Sequence, residues 1–409
     1  MKNIKLIQIN TVCNESTGKI MLSIQRAADQ EGFKTLSLFG RRKPANDLNT
    51  RKVGDPVSFW THVALTTAFD LHGRGSVIQT LRMIRILRDE SPDIIHLHNI
   101  HGYYLNYPIL FQYLKEEFHG KVYWTLHDCW AFTGHCAYYV QKQCDKWKTG
   151  CYHCENKRQY PVSLFLDRSR WNYVSKKEWF CNVPNLTLLV PSQWLREQVS
   201  QSFLKDYETI VVPNGIRLDI FRKENSVTRE EILERYHLPA DKKIVLGVAS
   251  HWSEGKGIHE FEGLSAVLPE EYVILLVGGG LEHIPLKNNI YTINRTENVR
   301  ELVSVYCAAD VFLNTSSEDT FSLVTLEAMA CGLPVIALDN SAVQELVADE
   351  CGVVLHDPEA VDYVNAIAKI EEKTEAGIIT SESLRRKADD FAQERQTQSI
   401  IKLYNNSLN

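Results

Sequence analysis

The sequence predicts an α/β protein built as two doubly wound, parallel-sheet domains, and three observations carry that expectation. At 409 residues the chain is about twice the length at which one hydrophobic core remains the default. Short, β-rich apolar runs alternate with longer segments of helical period along nearly its whole length, the pattern of parallel sheets with crossover helices. Pro213-Asn214-Gly215 breaks the pattern just after a strand, and the highly charged stretch Arg222 to Arg235 precedes the next sheet, so the hinge is expected near Asn214.

In the first half the strands read as Ile4 to Asn10, Thr35 to Phe39, Ile94 to His98, Val122 to Leu126, Leu186 to Val190 and Thr209 to Val212. In the second they read as Ile244 to Val248, Val273 to Val277, Val311 to Leu313, Val335 to Ala337 and Gly352 to Leu355. Helical pattern fills the gaps. Two Rossmann-like domains, 1–213 and 214–409, are expected to face each other across a cleft, with the last helix a candidate to return to the first domain. Ligands of open parallel sheets lie beyond the carboxyl ends of the strands, so the residues just after these strands are the ones to examine.

The composition, 44% hydrophobic, 10% aromatic and 23% charged, excludes a disordered, collagen-like or fibrous chain. No stretch approaches the ~20 apolar residues of a bilayer span, and the apolar run within Met1 to Asn14 is too short and polar for a signal peptide. A cytoplasmic protein is the expectation. The net charge of -6 hides an asymmetry: residues 1–215 carry 27 Lys+Arg against 19 Asp+Glu, whereas 216–409 carry 18 against 32. A basic first half is either an ordinary solvated surface or one that faces something anionic, such as a phosphorylated substrate or a membrane. Nucleic acid is not expected, because no basic run or reading motif is present.

The most informative segment runs from Ser316 to Pro334. It follows a strand and enters a helix around Phe321 that ends at Gly332. Backbone N–H groups around Ser322 to Val324, at the positive end of the helix dipole, suit phosphate oxygens. Asp319 and Glu327 lie eight positions apart, about two turns, and carboxylates are good acceptors for sugar hydroxyl protons. On spacing alone, Asp319 reads equally well as a helix cap and Glu327 as a buried helix carboxylate.

This segment resembles the E-x7-E region of retaining glycosyltransferases of family 4. Asp93 to Asn106 (DIIHLHNIHGYYLN), Leu126 to Cys136 (LHDCWAFTGHC), Pro213-Asn214-Gly215-Ile216, Gly247 to Trp252 (GVASHW) and Asn294 to Asn298 (NRTEN) are similar to the same family, most of all to its branch that builds bacterial capsules, exopolysaccharides such as colanic acid, and lipopolysaccharide. The resemblance implies the GT-B fold of two Rossmann-like domains. It implies transfer of a hexose from a nucleotide-sugar donor, UDP-linked before GDP-linked, to an acceptor hydroxyl with retention of configuration and without a catalytic metal.

Position by position, the resemblance makes Glu327 the partner of the donor ribose. Asp319 stands where the family has Glu, against hydroxyls of the transferred sugar. Ser322 and Leu323, next to Phe321, offer amides to the diphosphate. Lys256, in Lys256-Gly257, neutralises the leaving diphosphate. The arginine that commonly precedes this lysine is replaced by Ser250-His251, so phosphate binding is expected to be shared with Arg295. In the first domain Gly18, after the loop Thr11 to Thr17, resembles the glycine that lets backbone approach the donor phosphate or the acceptor. His127 contacts the donor sugar near the reacting carbon. His98, Asn99, His101 and Tyr103 suit an acceptor sugar, which is expected on a polyprenyl diphosphate at the inner membrane face, with the enzyme peripheral there.

Cys136, Cys144, Cys151 and Cys154 form a C-x7-C-x6-C-x2-C set in a cysteine-rich insertion at about 129–160. Four thiols in a reducing compartment favour a structural zinc, with free thiols, disulfides or redox chemistry as the other readings. Cys13, Cys307 and Cys331 read as core thiols. Two other functions use the same architecture: a nucleotide-sugar epimerase or isomerase, which needs no acceptor, and a non-catalytic scaffold of a polysaccharide assembly complex, which needs no donor.

Overall fold

The computed structural model describes residues 4–14, 16–45, 47–282 and 289–407. Glu15, in the Thr11–Thr17 loop, lies outside them. The chain divides into two compact units, residues 1–213 with 396–409, and residues 214–395.

The first unit holds a seven-stranded parallel sheet of β1 (Lys5–Val12), β2 (Lys34–Arg41), β3 (Thr50–Lys52), β4 (Ile94–Leu97), β5 (Lys121–Thr125), β6 (Leu186–Val190) and β7 (Thr209–Val211), in the order β3-β2-β1-β4-β5-β6-β7. The second holds a six-stranded parallel sheet of β8 (Lys243–His251), β9 (Tyr272–Gly279), β10 (Ile290–Ile293), β11 (Val311–Asn314), β12 (Val335–Leu338) and β13 (Gly352–Leu355), in the order β10-β9-β8-β11-β12-β13. Helices cover both faces, so strands such as β6 are buried along their whole length, which is why they read as continuous apolar runs. In each sheet the order reverses once, between β1 and β4 and between β8 and β11, and such a switch point opens a crevice at the carboxyl ends of the strands.

The sequence reading misses β3 and β10. Both are edge strands: β3 is three residues with no apolar side chain, and β10 buries only Ile290 and Ile293. The core of the second unit surrounds β8, β9, β11 and β12. The first unit has a large core under β4 to β6 and a smaller one in which Ile400, Ile401 and Tyr404 of the last helix, Gln393–Asn406, join Leu6, Ile94 and Tyr123. Among the described residues no helix is long and apolar enough to cross a membrane.

Candidate active site

In the second unit β8 runs through a bulge between Val248 and His251 and ends in the 3₁₀ turn Glu254–Lys256. Gly257 then reverses the chain at φ +71°, and a Cβ there would lie 2.3 Å from the carbonyl oxygen of Thr315, so only glycine fits. Two strands thus meet closely: Thr315 Oγ1 donates to the carbonyls of Lys256 (2.9 Å) and Gly257 (3.2 Å), and Ser317 donates from both backbone and side chain to Gly255, each at 3.1 Å. Lys256 Nζ is thereby delivered to the switch point, 2.6 Å from Asp319 Oδ1 and 3.3 Å from Ser316 Oγ. The structure pairs the expected phosphate cation directly with the expected sugar carboxylate.

The helix that follows is Leu323–Ala330, and it begins two residues later than the sequence reading has it. Ser322 occupies the N-cap position but makes no side-chain cap, because its hydroxyl is held by Asn314 Nδ2 (2.9 Å) and Thr325 Oγ1 (2.9 Å). Ser322 itself therefore places no side-chain oxygen across the backbone amides of the helix start. Phe321 turns away to pack on Phe391, with ring centroids 5.8 Å apart. On the second turn Glu327 accepts a hydrogen bond from the buried Tyr306 hydroxyl at 3.1 Å. Arg295 is exposed, two residues after the edge strand β10.

In the first unit Asn10 ties the switch point together. Its Oδ1 accepts from the amides of Thr11 (2.9 Å) and Asn99 (3.2 Å), and its Nδ2 donates to the Val12 carbonyl (3.1 Å). At Gly18 an added Cβ would lie 2.5 Å from the backbone of Cys13, so helix Ser16–Gln30 packs on its own leading loop at glycine distance. Beyond β4 and β5 a small pocket is lined by residues that include His98, Asn99, His101, His127, Asp128 and Trp130. His96, His98 and His127 stack in sequence, with centroids 4.3 and 5.4 Å apart. Burial pushes all three down, His96 to about 3 and His127 to about 4, so this is a column of neutral imidazoles. His98 is fully buried, with Nδ1 3.2 Å from His127 Nε2 and Nε2 3.1 Å from Gln8 Oε1, and so bears on the pocket through His127.

His101 stands between Asp128 Oδ2 (2.7 Å) and the Tyr160 hydroxyl (2.8 Å). Burial would raise Asp128, but the neighbouring His101 and the Trp130 amide outweigh it and hold the carboxyl below its ordinary range. Tyr103 meets Phe59, His62, His72 and Tyr160 edge-on. Asp128 stands beside His127 in the sequence yet had no assigned role there. Tyr160 lies 59 positions from His101 and carries no local signal.

The cysteine cluster corrects the sequence reading. Among the described residues no three histidine, cysteine, aspartate or glutamate side chains are grouped to hold a metal ion, and Cys136, Cys144, Cys151 and Cys154 are free thiols. Cys136 is buried, gives its S–H to Cys154 and is held protonated by that bond and by burial. Burial pushes Cys151 up to about 12 while its sulfur accepts the Gly134 amide at 3.1 Å. Cys136 and Cys151 pack on the apolar core, and burial favours their neutral form over the thiolate a metal requires.

Two family models match the chain. Glycosyltransferase Family 4 covers residues 38–220, and Glycosyl transferases group 1 covers residues 242–373. The chain is a family 4 glycosyltransferase. This glycosyltransferase is 23% identical over 399 residues to WcaC of Escherichia coli K12, described as a colanic acid biosynthesis glycosyl transferase, which spans 95% of this chain and 96% of that one. Other curated relatives match over 23% to 58% of their own length. Among solved structures, the enzyme is similar to sucrose-phosphate synthase of Thermosynechococcus elongatus (TM-score 0.72, 19% identity, 98% of both chains) and to Anabaena HepE in complex with UDP-glucose (TM-score 0.67, 13% identity, 98% of this chain and all of that one, 100%). The fold of the family 4 enzyme is GT-B.

Proposed function

We propose that this glycosyltransferase moves a hexose from a UDP-sugar to a saccharide hydroxyl in the synthesis of a bacterial surface polysaccharide, with retention at the anomeric carbon. One observation carries the reading: Lys256 is held at the β8/β11 switch point by Asp319 and Ser316 of the loop that leads into the Leu323–Ala330 helix, whose N-cap residue makes no side-chain cap. A cation and a row of amides at one place suit the diphosphate oxygens, and fixed donors aimed at charge that grows on a leaving group are worth several kcal/mol of barrier, about 3 in comparable sites. Glu327, oriented by Tyr306, accepts from the ribose hydroxyls, and Asp319 accepts from the sugar once the diphosphate draws Lys256 from it. Gly18 and Arg295 complete the donor contacts.

The bond from the anomeric carbon to the diphosphate oxygen breaks, the bond to the acceptor oxygen forms on the same face, and the acceptor proton passes to the leaving phosphate. His127, neutral, offers a hydrogen bond near the reacting carbon without adding charge. The pocket lined by Asn99, His101 and His127 takes the acceptor, with Tyr103 beside His101 and His98 behind His127. We read the acceptor as carried on a polyprenyl diphosphate at the inner membrane face, which agrees with the basic first half. The full-length likeness to WcaC supports the polysaccharide setting, and the HepE complex supports UDP.

The test is incubation with UDP-glucose, UDP-galactose and GDP-mannose, with and without saccharide acceptors, and NMR assignment of the product's anomeric configuration. An acceptor-dependent product with the donor's configuration is expected. An inverted product, a sugar converted without acceptor, or no donor turnover at all would each contradict the proposal.

A further inference from the structure

The first unit holds a guanidinium that no carboxylate of the described chain answers. Arg41 ends β2, level with Val12 at the end of β1, and is partly buried. Among the described residues its guanidinium makes no hydrogen bond and no ion pair; Nε is sealed from solvent without an acceptor, while the Nη atoms reach solvent. The group lies over the Phe59 ring, 5.1 Å from the centroid. Carboxylates of the flanking segments are engaged elsewhere: Asp47 accepts from Arg26 at 2.8 Å, Asp55 from the Ser58 amide at 2.9 Å, and Asp128 from His101. Buried N–H groups are almost always paired, and an arginine sunk into a fold is ordinarily fixed by such bonds. This one is held by ring contact alone, with its two Nη groups turned outward.

One contact network joins this cation to the pocket beyond β4 and β5. The Tyr104 ring packs against Gly40, where an added Cβ would lie 2.2 Å from Tyr104 Cγ. Tyr104 donates to the Asn99 carbonyl at 2.9 Å, which also accepts from Thr11 at 2.9 Å, so the end of β2 and the pocket wall are fastened together. Phe59, under the guanidinium, meets Tyr103 edge-on at 5.8 Å, and Tyr103 meets Tyr160 at 6.1 Å. The positive charge opposes the burial that raises both the Tyr103 and the Tyr160 hydroxyls. Tyr160 is pinned through its hydroxyl, 2.8 Å from His101 Nδ1, yet remains 38% exposed, and its ring neighbours His72, His101 and Tyr103 are all tilted or edge-on. A fixed ring with open area suits the apolar face of a pyranose.

We infer that Arg41 reads an acidic substituent on the acceptor saccharide, a carboxylate or phosphate whose paired oxygens take the Nη donors, with the Tyr160 ring against the sugar face. A planar guanidinium matches either oxyanion with two parallel bonds. The donor diphosphate has Lys256 in the second unit, which leaves this cation to the acceptor. A neutral sugar would cover the guanidinium without answering it, so such a site rejects the neutral analogue as strongly as it welcomes the acidic one. The inference rests on the reading of the pocket at Asn99, His101 and His127 as the acceptor site and narrows it to acidic saccharides.

The experiment is NMR titration of the full chain, in the presence of UDP, with methyl β-glucuronide, methyl β-glucoside 6-phosphate and methyl β-glucoside, for wild type, Arg41→Met and Tyr160→Ala. The methionine keeps an apolar stem on Phe59 and removes no hydrogen bond, and thermal midpoint and UDP affinity are read for each variant. Wild type is expected to bind one acidic glycoside about ten- to a hundredfold more tightly than the neutral one, and which of the two it prefers separates carboxylate from phosphate. Arg41→Met is expected to erase that preference while leaving UDP affinity, the neutral glycoside and the midpoint unchanged. Tyr160→Ala is expected to weaken all three glycosides alike. Equal affinity of wild type for the three, a preference that survives in Arg41→Met, or weaker UDP binding in that variant would overturn the inference. Transfer to neutral acceptors as fast as to acidic ones would overturn it too and leave the proposed function intact. An acidic preference in a protein that transfers sugar to no saccharide would leave the anion site standing and remove the proposed function instead.

Discussion

Lys256 Nζ and Asp319 Oδ1 lie 2.6 Å apart, a contact between residues 63 positions apart in sequence. The pair is half-open to solvent on the lysine side, so its own contribution to stability is small. Its consequence is for binding. A diphosphate must compete with Asp319 for the cation and also meets that carboxylate's negative charge.

Asp319→Asn is therefore expected to tighten UDP by up to about tenfold, the scale of one close charge pair in a partly solvated site, while lowering kcat/KM for the sugar nucleotide. Titration calorimetry and steady-state rates read the two effects separately. Weaker UDP binding in this variant would show that Asp319 supports the diphosphate rather than opposing it.

Gly257 holds the turn that brings β8 and β11 together at this pair. Alanine there would adopt φ +71° and overlap the Thr315 carbonyl. Gly257→Ala is expected to lose more than about 1 kcal/mol, seen as a lower urea midpoint, and to weaken UDP as Lys256 shifts. An unchanged midpoint would mean the turn relaxes freely.

Histidine burial sets the acid limit of the first unit. His62 Nε2 accepts the Gly73 amide at 2.9 Å, a role closed to the protonated ring, and burial pushes it from 6.5 down to about 4. The unfolded chain takes up this proton near pH 6.5 and the folded one does not, so stability is complete above that value and falls as pH drops towards 4. One such group costs roughly 3 kcal/mol across this window, and His96 and His127 act in the same direction. Urea midpoints measured from pH 7.5 to 4.5 should fall steadily for wild type and less steeply for His62→Gln. Parallel slopes would contradict this assignment.

Cys154 is the thiol to label. The S–H of Cys136 donates to it and holds it below its ordinary range, whereas burial raises Cys151. Iodoacetamide should modify Cys154 at lower pH than Cys151, and Cys136→Ala should raise the pH at which Cys154 reacts. No change in the variant would break the proposed hydrogen bond.

Much of the fold was legible because parallel strands buried on both faces must be apolar throughout. Leu186–Val190, buried throughout, is bounded in the structure as in the sequence reading, and the edge strand Gly352–Leu355, only half buried, is bounded alike through its apolar run. What was hidden is what the chain brings together across distance. Asp319 and Glu327 are spaced at about two helical turns, yet Asp319 turns to Lys256 and Glu327 to Tyr306, because Asp319 precedes the helix and sits on the loop bound to Gly255. His98 reads as a strand-end ligand but lies under His127, and Tyr160 reaches His101 along a loop with no periodicity. The zinc expectation rested on spacing, which does not register how thoroughly Cys136 is packed in the core.

The central claim is tested most directly by titrating UDP and uridine into wild type and Lys256→Ala. A charge-assisted hydrogen bond is worth about 1.5–3 kcal/mol, so the variant is expected to bind UDP roughly ten- to a hundredfold more weakly and uridine as well as wild type does. Equal UDP affinity in the two proteins would mean that the diphosphate is held elsewhere.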